Sequence, residues 1–472
     1  MTKPSRRFRR DRWHAKLLDT LRRQPPEWRR ALLAALRDAA TQHDLLIYHD
    51  PKTSQPVRIQ PVPWLLTEAQ CRYLQVLGIR LRRMLNRLLA RYFDDPVLQQ
   101  VLPLDEDERT WMQTLAPKGF LEPAAVFERL DTNLAFEDDR WPEGLRFLEL
   151  NSVGVGCVHF MPVANQVIAQ QTLSMFQEAL SPTACQPTAD PRVLLRRQLE
   201  AHASAIGRSQ LVTAFVERRE TSEGGADEML QLSRWFQEQG LHAVIADPRE
   251  LEVRNGEVVY QETIIDLVYR DFSLNEILSI EQHGGQVEAM KHAFRRNQVV
   301  SSLSGEFDHK SLFELLSNPE YDRYFTPAQR RVSRAFVPWT RLVRERQTAD
   351  PDGQEQDLPA YIRNHRATLV LKPNRAYGGQ DVVIGVDVTE AAWNDAMGQA
   401  LAHPDTWVVQ QMTPLPQASF PDPKELQDLV DEFVTVGFIA TPGGIAFVGR
   451  SSPQRIVNIS RGGSLVPIFL IR

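Results

Sequence analysis

Cysteine is scarce in this chain: Cys71, Cys157 and Cys185 are the only three in 472 residues. Their separations show no metal-ligand spacing, and three thiols are too few for a disulfide framework. They fit free thiols in a reducing cytoplasm. Long apolar runs are absent too. No stretch approaches the ~18 apolar residues of a membrane helix, and the charged N-terminus lacks the apolar stretch of a secretory signal. The expectation is a cytoplasmic protein with no membrane partner. No charge of one sign dominates, since 55 Lys and Arg stand against 60 Asp and Glu. That balance does not point to a nucleic-acid partner for the chain as a whole. The GxxxxGK[ST] phosphate loop is also missing.

What is present is an ordinary globular balance, 42% hydrophobic and 24% charged, long enough for two or three substructures. The first forty residues are locally basic, with Arg6, Arg7, Arg9, Arg10, Arg12, Arg22, Arg23, Arg29 and Arg30. A basic arm is one reading. A solvated helix face is the preferred one, because Leu17, Leu18 and Leu21, then Leu32, Leu33 and Leu36, recur at helical spacing. Leucines continue through 65–103, so residues 1–115 read as an N-terminal helical region. Residues 116–190 read as a strand pair with connecting helices, residues 191–275 as a small doubly wound α/β subdomain, and 276–472 as the remaining mixed part. Within the subdomain, Asn255-Gly256 predicts a hairpin turn. Arg346–Asp357 reads as polar and irregular, and Thr413–Lys424, with four prolines, as a loop.

Ala125–Asp131 and Arg146–Asn151 alternate apolar and polar residues as strands do. Phe127, Arg129 and Asp131 share one face of the first, and Phe147, Glu149 and Asn151 share one face of the second. If the two pair, two carboxylates and an amide oxygen converge. Like charges facing each other on a sheet are unfavourable unless a cation sits between them, and an oxygen-only set suits Mg²⁺. The alternative is a solvated strand face with an Arg129–Asp131 surface pair. Ser152-Val153-Gly154-Val155-Gly156 follows directly, and small residues there let backbone approach a ligand closely.

A second motif runs from Thr368 to Asp381. A strand delivers Lys372, and Tyr377-Gly378-Gly379 forms a turn able to fold over phosphates; a tight hairpin with an exposed lysine is the other reading. In Phe307-Asp308-His309-Lys310, Asp308 is expected to cap a helix with Lys310 in its first turn. Such a cation opposes the helix dipole unless an anion binds nearby, so Lys310 is either an anion contact or a plain surface lysine. The strand Thr406–Met412 ends in Gln410, Gln411 and Met412, which reads as an adenine-side wall or an ordinary core strand. The run from Gly449 to Gly463 holds Arg450, Arg455 and Arg461, each able to meet a phosphate or carboxylate. Arg270, at the end of a buried strand, reads as a substrate-carboxylate contact or a structural ion pair.

Arg129-x-Asp131, Glu149-x-Asn151, Lys310 and Lys372-Pro-Asn with Tyr377-Gly378-Gly379, in this order, resemble the circularly permuted ATP-grasp proteins. In motif style they are similar to the synthetase domain of glutathionylspermidine synthases. Over about 121–472, that resemblance implies a mixed α/β (α+β), circularly permuted ATP-grasp fold carrying the small doubly wound subdomain. It implies ATP and two Mg²⁺ ions as cofactors, with Asp131, Glu149 and Asn151 as metal ligands. Lys310 and Lys372 would hold phosphates, Tyr377, Gly378 and Gly379 the lid, and Gln410, Gln411 and Met412 the adenine side. Arg129 would stabilise charge on the transferred phosphoryl group, with Arg450 a second candidate. Many ATP-grasp hinges carry an acidic residue where this chain has Gln410 and Gln411. The cysteine–histidine amidase domain of some relatives has no counterpart in the N-terminal region. The implied activity is amide formation between a small-molecule or peptide carboxylate and an amine, through an acyl phosphate. A non-catalytic ATP-binding module acting through a partner and an ATP-dependent phosphotransferase are the alternatives.

Overall fold

The structure, a computed structural model, describes residues 12–50, 53–116, 118–134, 141–181, 184–208, 210–219, 227–424 and 426–472. Arg6, Arg7, Arg9 and Arg10 of the basic stretch, and the middle of the 133–144 connection, lie outside them.

The largest sheet has seven strands. Its order is Arg58–Ile59, Ser464–Val466, Gly444–Ser452, Leu429–Thr441, Arg129–Thr132 and Phe147–Asn151, and Gln417–Pro421 pairs with Leu429–Thr441 off that path. Leu429–Thr441 is rich in Val, Phe and Ile, side chains that suit a pleated surface. Helix Glu68–Leu89 packs on this strand. Thr67 and Gln70 close a capping box at its start, and Leu74, Leu77, Leu81, Leu85 and Leu88 form its buried stripe. Gly78 permits the close contact, since a Cβ there would lie 2.7 Å from the Ala440 Cβ.

The N-terminal residues are mainly helical as expected, but they also supply strands. Arg58–Ile59 joins the large sheet, and Trp64–Thr67 pairs in parallel with Ile468–Ile471. Runs of two to four residues are too short for alternation to show. The Gln417–Pro421 strand likewise replaces part of the expected 413–424 loop.

The α/β subdomain holds four parallel strands in the order Val299–Val300, Leu267–Asp271, Val212–Glu217 and His242–Ala246. The Asn255-Gly256 turn forms as expected, with both residues at positive φ (53° and 75°). A third sheet carries the second motif in the order Thr340–Leu342, Trp407–Gln411, Leu369–Pro373 and Val383–Ile384. Arg346–Asp357, expected to be irregular, contains an antiparallel hairpin, Gln347–Ala349 with Glu355–Asp357. The fully buried Arg341 holds it, donating from Nε to Thr348 Oγ1 (2.8 Å) and from Nη2 to the Ala349 carbonyl (3.0 Å).

Candidate functional site

Strands Arg129–Thr132 and Phe147–Asn151 pair antiparallel, and the register sets Asp131 opposite Glu149 and Arg129 opposite Asn151. The four side chains therefore share one face. Arg129 grips Asp131 with two hydrogen bonds, Nε to Oδ1 at 2.8 Å and Nη2 to Oδ2 at 3.1 Å. Its third nitrogen donates to the Gly156 carbonyl at 2.6 Å. Arg450 reaches across from strand Gly444–Ser452 to Asp131 Oδ2 at 2.7 Å, and Asn151 Nδ2 approaches the same oxygen at 3.3 Å. Burial alone would push the Asp131 carboxyl up, but the two guanidiniums outweigh it and hold the group down at about 2. Asp131, expected as a metal ligand, is thus placed as the shared counter-ion of two arginines.

Gly437 makes room for this cluster. It pairs with Asp131, and a Cβ there would lie 2.4 Å from Asp131 Oδ1 and 2.8 Å from Arg129 Cδ. A glycine in the interior of a β-branched and aromatic run, Phe433–Ile439, was the signal available for it in the sequence.

The two lysines arrive at the acidic strand from separate elements. Lys310 Nζ stands 3.6 Å from Glu149 Oε1 and donates to the Ala376 carbonyl at 2.5 Å. Lys372 Nζ donates to the Leu148 carbonyl at 3.3 Å and to Gln410 Oε1 at 2.7 Å. Burial pushes the Lys372 ammonium down to about 8, with Glu149 opposing and Lys310 reinforcing the shift. Acidic and ammonium groups separated by over 150 positions in sequence therefore meet at one place.

Asp308 does not cap a helix. The helix here is Leu312–Ser317, and the Asp308 carboxylate instead accepts the Ser152 backbone N–H at 3.0 Å. Its other oxygen faces the Tyr377 hydroxyl at 3.5 Å. Gly378 and Gly379 follow in left-handed conformation (φ 65° and 71°), which a two-residue turn of this kind requires. Asn458 Nδ2 donates to the Gly378 carbonyl at 2.6 Å, so the C-terminal run rests on the glycine turn. Of the arginines in that run, Arg450 alone is placed on Asp131, while Arg455 pairs with Asp387 at 3.0 Å.

Gln410 is buried and spans Lys372 and Thr340 Oγ1 (3.0 Å). The backbone N–H groups of Gln411 and Met412 donate to the carbonyls of Trp339 and Thr368, both at 2.8 Å. These amides, expected on the adenine side, are used within the protein. Arg270 takes the structural ion-pair reading. It is fully buried against Glu306 and donates to the carbonyls of Ser301 and Phe272, so it is a structural ion pair.

Neither a protein-family model nor a curated protein matches this chain. A solved structure does. The glutathione synthetase-like effector from Globodera pallida, in its apo form, superposes with a TM-score of 0.60 at 12% identity, covering 95% of this chain and 98% of that one. The fold is glutathione synthetase-like. It is a mixed α/β architecture consistent with the ATP-grasp type, and at this identity the likeness extends to the fold alone.

On that fold, the run after the acidic strand meets the protein's own side chains. Gly154 (φ 60°) brings backbone against the protein's own Asp271, whose Oδ1 lies 1.9 Å from where a Cβ would be. Glu228 accepts the N–H groups of Cys157 (2.7 Å) and His159 (2.6 Å), tying the same run to the α/β subdomain. Beside it, Glu217 and Asp271 are register neighbours at the C-terminal ends of parallel strands, and among the described residues no cation pairs with either. Burial, then neighbouring carboxylates, push them up to about 8 and about 7. Neither was singled out in the sequence.

Among the described residues, no group of three or more His, Cys, Asp or Glu side chains is placed to hold a metal. The Glu149 carboxylate and the Asn151 amide oxygen do fit Mg²⁺. Glu149 is partly exposed and, among the described residues, forms an ion pair with Lys310 at 3.6 Å, and Asn151 spends its amide nitrogen, not its oxygen, on Asp131. As for crossing a membrane, no helix among the described residues is long and apolar enough.

Proposed function

We propose that this chain is an ATP- and Mg²⁺-dependent carboxylate–amine ligase on a circularly permuted ATP-grasp fold, acting through an acyl phosphate. The observation that carries the reading is the meeting of Lys310 and Lys372 with the Glu149 strand. Two ammonium groups beside one carboxylate and one amide oxygen form a cradle for a polyphosphate and its counter-ion. Glu149 and Asn151 would hold Mg²⁺, which supplies neutralisation of phosphate charge. Lys310 and Lys372 would bind phosphate oxygens, and Tyr377 with the two glycines would cover them.

Arg129 and Arg450, oriented by Asp131, point their charge at the same face. They stabilise the oxygens of the γ-phosphoryl group as a substrate carboxylate oxygen bonds to phosphorus and ADP leaves. An amine nitrogen then bonds to the acyl carbon, phosphate leaves, and the amine proton passes to phosphate or solvent. Glu217 and Asp271, which among the described residues have no cation partner, would hold the amine before it loses the proton that frees its lone pair. A closed lid keeps water from the acyl phosphate.

The commitment of Asp131 to two guanidiniums favours a second reading, an ATP-binding module acting through a partner. Measuring ADP and phosphate release across carboxylates with amino acids, small peptides and polyamines separates the two. Amine-stimulated release of both, with an amide product, is the expected result. Tight ATP binding without release supports the module, and a stable phosphorylated product would instead mean a phosphotransferase.

A further inference from the structure

We propose that Glu108, in the N-terminal helix Glu106–Leu115, is a positioning residue for the phosphate-binding turn, acting through Arg375. Its functional consequence rests on the ligase reading; its structural consequence rests on geometry alone. Glu108 is fully buried and takes Arg375 in a bidentate pair, both contacts at 2.6 Å, across 267 positions of sequence. Asn275, at the start of helix Leu274–Gln282, completes the junction. With its amide oriented to satisfy both neighbours, the nitrogen donates to Glu108 Oε1 at 2.7 Å and the oxygen accepts from Arg375 Nη1 at 3.2 Å. The Glu108 helix is itself tied down, since Trp111 Nε1 donates to Glu281 at 3.1 Å and Gln282 to Asp107 at 3.2 Å.

Arg375 lies midway between Lys372 and Gly378. On either side of it the turn is fixed to the Lys310 segment. The Asn374 carbonyl accepts the Lys310 N–H at 2.9 Å, Asn374 Oδ1 accepts the Ser311 N–H at 2.8 Å, and the Ala376 carbonyl accepts Lys310 Nζ. The root of the turn is therefore pinned at three consecutive residues, while the Gly378 carbonyl beyond it is held by Asn458 of the C-terminal run. A buried ion pair is a poor device for stability alone, because desolvation offsets much of its attraction, but a bidentate pair fixes orientation closely. At this position what it orients is the chain between the two lysines and the lid. The N-terminal region is then part of the nucleotide machinery and not an appendage to it.

Hydrogen exchange at residues 373–380 without nucleotide, together with KM for ATP and kcat, tests this in Glu108→Gln and in the double variant Glu108→Gln/Arg375→Gln. The double variant leaves no lone buried charge, so it folds even if the single one does not. Both variants are expected to exchange about tenfold faster at the turn. KM for ATP should rise about tenfold, and the double variant should recover thermal stability without recovering KM. Lowered thermal stability with unchanged exchange at 373–380 and unchanged KM would overturn the proposal and leave the pair as packing. If the unaltered protein binds no ATP, the ligase reading falls, while the exchange measurement still decides whether Glu108 holds the turn.

Discussion

Replacing Gly437 with alanine adds one methyl group behind the Arg129–Asp131–Arg450 cluster. The added Cβ would stand 2.4 Å from Asp131 Oδ1, against the 3.4 Å at which ordinary contact begins, so about 1 Å must be found. The carboxylate cannot simply rotate away, because Arg129, Arg450 and Asn151 all hold it. The strand cannot move easily either, being hydrogen-bonded on both edges. Overpacking of this size costs about 1–3 kcal/mol of stability. A shift of about 1 Å in groups that position a reacting phosphoryl group costs roughly 10²-fold in rate. The expected outcome is a folded variant with a lowered melting temperature and roughly 10²-fold lower kcat for ADP release, with KM for ATP little changed. Thermal unfolding and a coupled ADP assay measure both. Full activity together with the expected stability loss would refute the reasoning, since it would mean that the cluster tolerates displacement and is not aimed at the transferred group.

Lys372→Met and Lys310→Met should each lower kcat/KM for ATP by about 10²-fold or more, as the loss of one charge-stabilising donor does; steady-state kinetics of ADP release with each variant checks it. Lys372 has its pKa lowered from 10.5 to about 8, so it is charged below that point and loses its proton as pH rises through it. ATP affinity should therefore fall above pH ~8, while stability without nucleotide should rise between about 8 and 10.5, because the folded state binds this proton more weakly than the unfolded one. Calorimetry and unfolding across pH 7–10 would show whether the two trends oppose each other. Asp271→Asn should raise KM for the amine while leaving KM for ATP within about twofold, a split that steady-state kinetics reads directly.

The parts of this molecule legible in the sequence are those whose partners are local or whose pattern is periodic. Asp131 and Glu149 could be set opposite one another because strand alternation puts every second side chain on one face, and the register bears that geometry out. The Asn255-Gly256 turn was legible because few residue pairs accept two positive φ angles. Asp308 misled for the converse reason. A cap before a leucine run is a sound local inference, but the Ser152 N–H, brought from 156 positions away, claims the carboxylate. Arg270 and Glu306 found each other in the core, where an unpaired charge is too costly to leave facing a cavity. Glu108 has only a local signature of capping, since it closes the Asp105 capping box by accepting the Asp105 N–H at 3.1 Å, and only the fold reveals that Arg375 meets it as well. Glu217 and Asp271 were invisible for a further reason. Each is an unremarkable strand-end carboxylate, and their significance arises from parallel pairing that sets them side by side with, among the described residues, no cation between. Crowding at a strand end raises both carboxyls toward the neutral form, and a bound ammonium would draw them back to the charged one, so the feature least accessible to sequence is the one on which the proposed amine site rests.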